Sequence, residues 1–405
     1  MSLNTEVRPD FLKNIMNRIK LLIIATLCTT AAFSQISTGD GYYRVRNADD
    51  RGRYISVVDN RGSVSVATTS ADMGALKTLA GGFNRVVSDP STIVYFLNKG
   101  GKEYDMHTQG TSSYTIVGYT LTVKANSDGT YYAYASSGGM TKYLCDKAKD
   151  GVWDTGGDGV VVDNSDATRK WHIDPVTLDE SYFGFTPDVT ANGSYYKSFY
   201  AEFPFTFASS GMSAHYVSKV DEAKSAVVIK DLASGVPAAT PVIVKCSSTQ
   251  ASANKVNVGA SVSGSASGNL LKGVYFCNDV PGASHRNVVN YNAATMRVLG
   301  TASDGSLAFV KSSTLTYIPA NTAYITVSSN APDVLKVYTQ SEYDALPAGV
   351  RGDLNNDGIV SAADLVMMTN MILGKRAQTA AADLNGDGSV SAADYVMLVN
   401  LILKQ

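Results

Sequence analysis

Near its C-terminus the chain writes one short passage twice. Residues 353–364 read DLNNDGIVSAAD and run on into LVMMTNMIL; 30 residues later, residues 383–394 read DLNGDGSVSAAD and run on into YVMLVNLIL. Of the 21 positions in residues 353–373, 15 are identical in the second copy, so the segment is a duplication. Each copy gathers three aspartates within twelve residues. Carboxylates crowded that closely repel one another unless a cation sits among them.

The spacing says which cation. Oxygen-bearing side chains fall at positions 1, 3, 5, 9 and 12 of each loop with glycine at position 6, the ligand spacing of an EF-hand calcium loop. In the first copy Asp353, Asp357 and Asp364 supply hard carboxylates, Asn355 a neutral carbonyl oxygen, Ile359 its backbone carbonyl, and Ser361 a hydroxyl placed to hold a bridging water. Gly358 supplies the sharp turn. Asp383, Asn385, Asp387, the carbonyl of Ser389, Ser391 and Asp394 repeat the set. The expectation is two calcium ions, with metal binding and folding coupled and the segment loose without metal. Free calcium at a thousandfold above Kd adds roughly 4 kcal/mol per site. The competing reading of D-x-N-x-D-G is an ordinary Asx-rich turn, which the second copy and the apolar run after each loop argue against.

No helical run precedes either loop. Loop then helix, twice, over residues 352–405, resembles a type I dockerin. That resemblance implies a partner, a cohesin module on a scaffold or cell-surface protein of the kind that gathers polysaccharide-degrading enzymes. It also implies recognition through loop positions 10 and 11 and the following helix, here Ala362, Ala363 and Asn370 in the first copy and Ala392, Ala393 and Asn400 in the second. The best-known members place a hydroxyl pair where this chain has two alanines, which implies a cohesin of another specificity class that reads a flatter, apolar surface. Alanine is equally a good helix former at a helix start. The near identity of the copies implies docking in two orientations related by a half turn.

The remainder frames this module. At 405 residues the chain has room for two or three domains, and a net charge of −2 with no basic run gives no sign of a nucleic-acid partner. Arg18 and Lys20 precede the apolar residues 21–27, and Ala32-Phe33-Ser34 offers small residues for a signal peptidase. Residues 1–34 therefore read as an N-terminal extension and secretory signal, with Met1 or Met16 as the start, and the mature chain as secreted or cell-surface associated with no membrane span. Three cysteines then remain, of which Cys246 and Cys277 each end a strand-like run and are either paired or buried free thiols.

Residues 38–178 read as all-β, with short runs of Tyr, Val, Ile and Thr broken by Asn, Asp and Gly, and Ser127-Asp128-Gly129 as a hairpin turn. A Y-x-R-x-N opening and a closing strand RKWHIDPV resemble a ricin-lectin or fascin type β-trefoil, whose closing Gln-x-Trp appears here as Arg169-Lys170-Trp171. Residues 179–344 read as a second, β-sandwich-like region. Its aromatic belt (residues 182–207) suits either a stacking platform for sugar rings or the inner face of adjacent strands. VPAATPVIVK at 236–245 is echoed by IPANTAYITV at 318–327 as a Pro-Ala-x-Thr turn feeding a buried strand. Residues 345–351 form a linker. The expected fold class is thus multidomain and mainly β, with a small all-α module at the end.

No catalytic motif emerges: Asp154-Thr155-Gly156 has no second copy, Arg351-Gly352-Asp353 is committed to the first calcium loop, and the four histidines stand apart in sequence without a G-x-S-x-G or H-E-x-x-H. Two functional classes stay open beside a structural or adhesive surface role. One is a non-catalytic secreted subunit whose β modules bind polysaccharide or act as spacers. The other is an O-glycosyl hydrolase delivered by the same plug, since two carboxylates brought together in space suffice for that chemistry.

Overall fold

The computed structural model describes residues 36, 39–48, 54–57, 66–68, 86–108, 119–137, 139–145, 160–161, 169–179, 181–275, 288–329, 331–346, 352–355, 357–379, 381–385 and 387–403. The signal region, both candidate starts, Cys277 and hence its pairing with Cys246, the Asp154 triplet and most of the linker lie outside them.

The first region comprises β1 (Gly41–Asn47), β2 (Ile55–Val57), β3 (Val66–Thr68), β4 (Ile93–Gly100), β5 (Glu103–Thr108), β6 (Leu121–Ala125), β7 (Tyr131–Ser137), β8 (Met140–Leu144), β9 (Val160–Val161) and β10 (Trp171–Pro175). Its main sheet runs β10-β1-β4-β5-β6-β7-β8-β9, and a further pairing of β10 with β7, Trp171 opposite Tyr131, closes six of these strands into a barrel. Period-2 patterning puts Tyr43 and Val45 of β1 inside with Phe96, Tyr104, Met106, Leu121, Val123 and Trp171. The fully buried Trp171 indole donates to the Leu144 carbonyl at 2.8 Å, so its one polar atom is satisfied within the core. The Asp128-Gly129 turn is present: Gly129 has φ +81° and the Asp128 carboxylate accepts from the Thr130 amide.

The second region comprises β11 (Phe183–Gly184), β12 (Val189–Ala191), β13 (Ser194–Phe199), β14 (Phe205–Phe207), β15 (Ser213–Asp221), β16 (Ala226–Asp231), β17 (Val242–Cys246), β18 (Lys255–Val258), β19 (Leu271–Val274), β20 (Met296–Thr301), β21 (Leu307–Val310), β22 (Thr322–Thr326) and β23 (Val334–Thr339). Ten strands make one sheet in the order β12-β13-β17-β15-β16-β23-β21-β20-β22-β19, and β11, β18 and β14 make a small second sheet. Between the two layers lie Phe183, Phe185, Phe199, Phe203 and Phe205, all buried, with neighbouring ring centroids 4.8 to 6.4 Å apart. Of the two uses open to the aromatic belt, its phenylalanines take the inner-face one: burial of such rings is a dominant favourable term in folding.

The Pro-Ala-x-Thr echo extends to the backbone. Ala239 (φ +54°) and Asn321 (φ +55°) occupy the same third position of their turns, ahead of β17 and β22. A short helix, α1 (Gln340–Asp344), ends the region, its start held by a capping box between Thr339 and Glu342.

The two β regions pack on each other. Arg44, on the β1 face turned away from the barrel interior, is fully buried and donates to the carbonyls of Asp89, Val87 and Tyr182 and to the Thr92 hydroxyl. Tyr42 and Ile93 join the phenylalanine cluster, while Tyr200 and Tyr275 join the barrel cluster. Burial pushes the Arg44 guanidinium down to about 10, against the pull of Asp89.

The C-terminal module holds α2 (Ala362–Ile372) and α3 (Ala392–Leu403), each starting two residues before the last aspartate of its loop. Leu354, Val360, Met368, Met371, Ala382, Leu384, Val390 and Leu398 form a core of their own, separate from those of the β regions. The chain is therefore mainly β with a small helical module at its C-terminus. Among the described residues no helix is long and apolar enough to cross a membrane.

Candidate calcium and docking module

The two loops fold alike because the same side chains satisfy the same amides. Asp353, at position 1, accepts from the amides of Asp357 (3.2 Å) and Gly358 (2.8 Å); Asp383 does the same for Asp387 and Gly388. Gly358 and Gly388 have φ +88° and +86° with open space around them, so glycine stands there for backbone conformation alone. Asp357 and Asp387, at position 5, each accept from the side-chain amide of the asparagine two residues earlier, at 2.7 Å.

The last aspartates join loop to helix. Asp364 is fully buried; one carboxylate oxygen accepts from the amides of Leu354 and Asn355 at 2.7 and 3.1 Å, and the other from Ser361 at 2.8 Å. Ser361 and Asp364 thereby complete a capping box, so one carboxylate starts α2 and ties it back to the start of the loop. Asp394 repeats this with Leu384, Asn385 and Ser391. Burial alone would raise the Asp394 carboxyl, but the hydrogen bonds from Ser391, Asn385 and Leu384 outweigh it and hold the group below the usual carboxylate range. Asp387 is also held low, chiefly by the Ser389 hydroxyl and the Asn385 amide.

Among the described residues no three acidic, imidazole or thiol side chains converge as a ready-made metal cluster. The carboxylates are instead spread over the amides of their own loops. The donors on each loop are nevertheless all oxygen, three of them carboxylates, with no nitrogen or sulfur ligand, and that set suits a hard cation of high coordination number.

The residues at loop positions 10 and 11 stand on the surface. Ala362, Ala363, Ala392 and Ala393 are exposed, and one turn along each helix Val366 and Val396 are 62% and 58% exposed. Asn370 is half-buried whereas Asn400 is exposed. One contact was not legible in the sequence: Gln378, in the connection between the copies, donates to the Val390 carbonyl at 3.0 Å and accepts from the Val390 amide at 3.1 Å. A glutamine in a polar connection carries no sign of this clamp, and no matching one is seen on the first loop among the described residues.

The family model described as "Dockerin type I domain" matches residues 351–403. Residues 351–403 are a type I dockerin domain. Dockerins of this type bind calcium, and their presence implies a cohesin-bearing partner. No curated protein matches the chain. Two solved structures show a remote likeness. One is described as "Crystal structure of Cry35Ab1", with 9% identity, a TM-score of 0.23, and 50% of this chain aligned to 68% of that one. The other is described as "Structure and mode of action of a mosquitocidal holotoxin", with 13% identity, a TM-score of 0.24, and 73% of this chain aligned to 40% of that one. At such scores neither likeness carries an argument about fold or function.

Proposed function

We propose that the chain is a secreted calcium-binding subunit that docks accessory β modules onto a cohesin-bearing scaffold or surface in a polysaccharide-degrading context. The observation that carries this reading is the dockerin match over a duplicated oxygen-donor loop whose position-10 and -11 residues are exposed in both copies. Two calcium ions are proposed, one held by Asp353, Asn355, Asp357, the Ile359 carbonyl, Ser361 and Asp364, the other by Asp383, Asn385, Asp387, the Ser389 carbonyl, Ser391 and Asp394. When bound, each ion neutralises three carboxylates and links the loop's start to its end. The protein's own part is to hold those oxygens on a glycine turn and to start the helix from the last of them.

Ala362, Ala363 and Asn370, and Ala392, Ala393 and Asn400, are proposed as the partner-facing residues; the exposed valines beside the alanines support a flat apolar contact. The β modules are proposed to span 38–178 and 179–344, joined by a linker at 345–351 to the dockerin at 352–405, behind a cleaved signal at 1–34. The closed six-stranded barrel with β2–β3 as a separate hairpin supports a β-trefoil reading of the first, and with it a carbohydrate-binding or spacer role.

The test is capture of a cohesin-bearing protein by the immobilised chain with calcium and then with chelator. Capture that needs calcium and fails in an Asp364→Ala, Asp394→Ala double variant is the expected result. Capture at full strength in chelator overturns the metal-dependent reading.

A further inference from the structure

We propose that Ser213, His215 and Asp231 form a nucleophilic acyl-transfer site that hydrolyses short acyl esters. The sequence shows four histidines standing apart, and the fold ends that isolation for one of them. Ser213 and His215 sit two apart on β15 and so share a face, while the β15–β16 hairpin puts Asp231 directly opposite His215. The Ser213 hydroxyl lies 3.0 Å from Nε2 of His215, and Nδ1 of His215 lies 2.7 Å from the Asp231 carboxylate.

The direction of these bonds follows from the groups themselves. An ionised carboxylate only accepts, so Nδ1 carries the proton and donates to Asp231, which leaves the lone pair of Nε2 to accept from Ser213. Hydroxyl, base and orienting carboxylate thus stand in the order that nucleophilic catalysis requires. The imidazole side chain is only 13% exposed, and its burial lowers its proton affinity, which keeps it in the neutral, accepting form near neutral pH. Lys245 of β17 stands opposite Ser213 in the antiparallel register, on the same face, and its charge is felt at His215. A cation there is placed to stabilise the oxyanion that forms when Ser213 adds to a carbonyl.

The step balances without a co-reactant other than water. The Ser213 oxygen bonds to the ester carbonyl carbon as its proton passes to Nε2. The acyl C–O bond then breaks and the alcohol leaves with that proton. Water attacks the resulting Ser213 ester, gives a proton to Nε2, and the acid departs as Ser213 regains its hydrogen. Ser213 and His215 are the catalytic residues; Asp231 is a positioning residue, 75% exposed at its side chain. A carboxylate so open to solvent orients the imidazole weakly, which suits small, reactive esters rather than amides.

The full chain is treated with a fluorophosphonate probe and the adduct located by peptide mass spectrometry, and turnover of p-nitrophenyl acetate is followed in parallel. The expected result is a covalent adduct on Ser213, with turnover falling at least a hundredfold in Ser213→Ala and in His215→Gln. Asp231→Asn should lower kcat with KM unchanged, and Asp231→Glu should recover part of it. A chain that takes no probe at Ser213, or a Ser213→Ala variant that turns over ester at the rate of the unaltered chain, overturns the proposal.

Discussion

Ala239 is a small residue in a conformation that suits it poorly. Its φ of +54° lies in the left-handed region, where a Cβ crowds the following carbonyl and costs roughly 1–2 kcal/mol, while its counterpart Asn321 is of a type that tolerates this region. Asn321 also uses its side chain, donating to the Tyr200 carbonyl at 3.0 Å. Ala239 is exposed, so a larger side chain meets no core. Ala239→Asn is expected to stabilise the chain by about 0.5–1 kcal/mol, without the unfolded-state entropy that a glycine adds. Thermal unfolding of the two proteins checks this, and an unchanged or lower midpoint would count against it. The echo was legible as letters; that both copies place their third residue at positive φ was not, because proline and alanine at the first two positions fit several turns.

At the scale of elements, the dockerin helices depend on their loops. Each is no more than twelve residues long and marginal alone in water, so its start must be fixed from outside. In α2 the Asp364 carboxylate provides that fixing through three amides. Asp364→Ala leaves those amides without their acceptor, at about 1–3 kcal/mol for each one kept from water. Circular dichroism should therefore lose helical signal in Asp364→Ala even in excess calcium, whereas chelating the unaltered chain should reduce the signal reversibly. Full helicity in the variant would show that the capping carboxylate is dispensable. Here the sequence was most informative, because position-specific chemistry constrains a twelve-residue loop tightly. It was less so for the aromatic belt, where Phe183, Phe185, Phe199, Phe203 and Phe205 stack as core: periodicity groups residues on a face without saying whether that face meets protein or solvent. The Ser213, His215 and Asp231 set was invisible for a related reason, since Asp231 reaches His215 only through the register of a hairpin.

For the whole molecule, burial of ionisable groups sets how far alkali can be taken. Burial raises the Tyr42 phenol to about 12 and pushes Tyr95, Tyr104, Tyr131 and Tyr200 upward as well, across the barrel and the seam between the β regions. A phenol whose folded pKa is raised contributes stability that is complete below its unfolded value of about 10 and is lost as pH climbs through the folded one. Arg44 works the other way, because its folded value is lowered, but it is a single group against several. The phenolate absorbance of these buried tyrosines should accordingly appear as a stage that coincides with unfolding, above pH ~10. Arg44 also joins the regions, holding Tyr182 from one and Val87, Asp89 and Thr92 from the other. Arg44→Met removes the donor these groups share, a net loss of about 0.5–1.5 kcal/mol per bond. The Val87 carbonyl keeps the Gly184 amide and the Asp89 carbonyl the Thr92 hydroxyl, and the cost falls on the seam. The variant is expected to unfold at lower temperature and to bring the buried-tyrosine stage to lower pH together with it. A variant that melts early yet titrates its phenols like the unaltered chain would show that the tyrosines are sealed by the barrel alone, and that the two β regions do not depend on each other for stability.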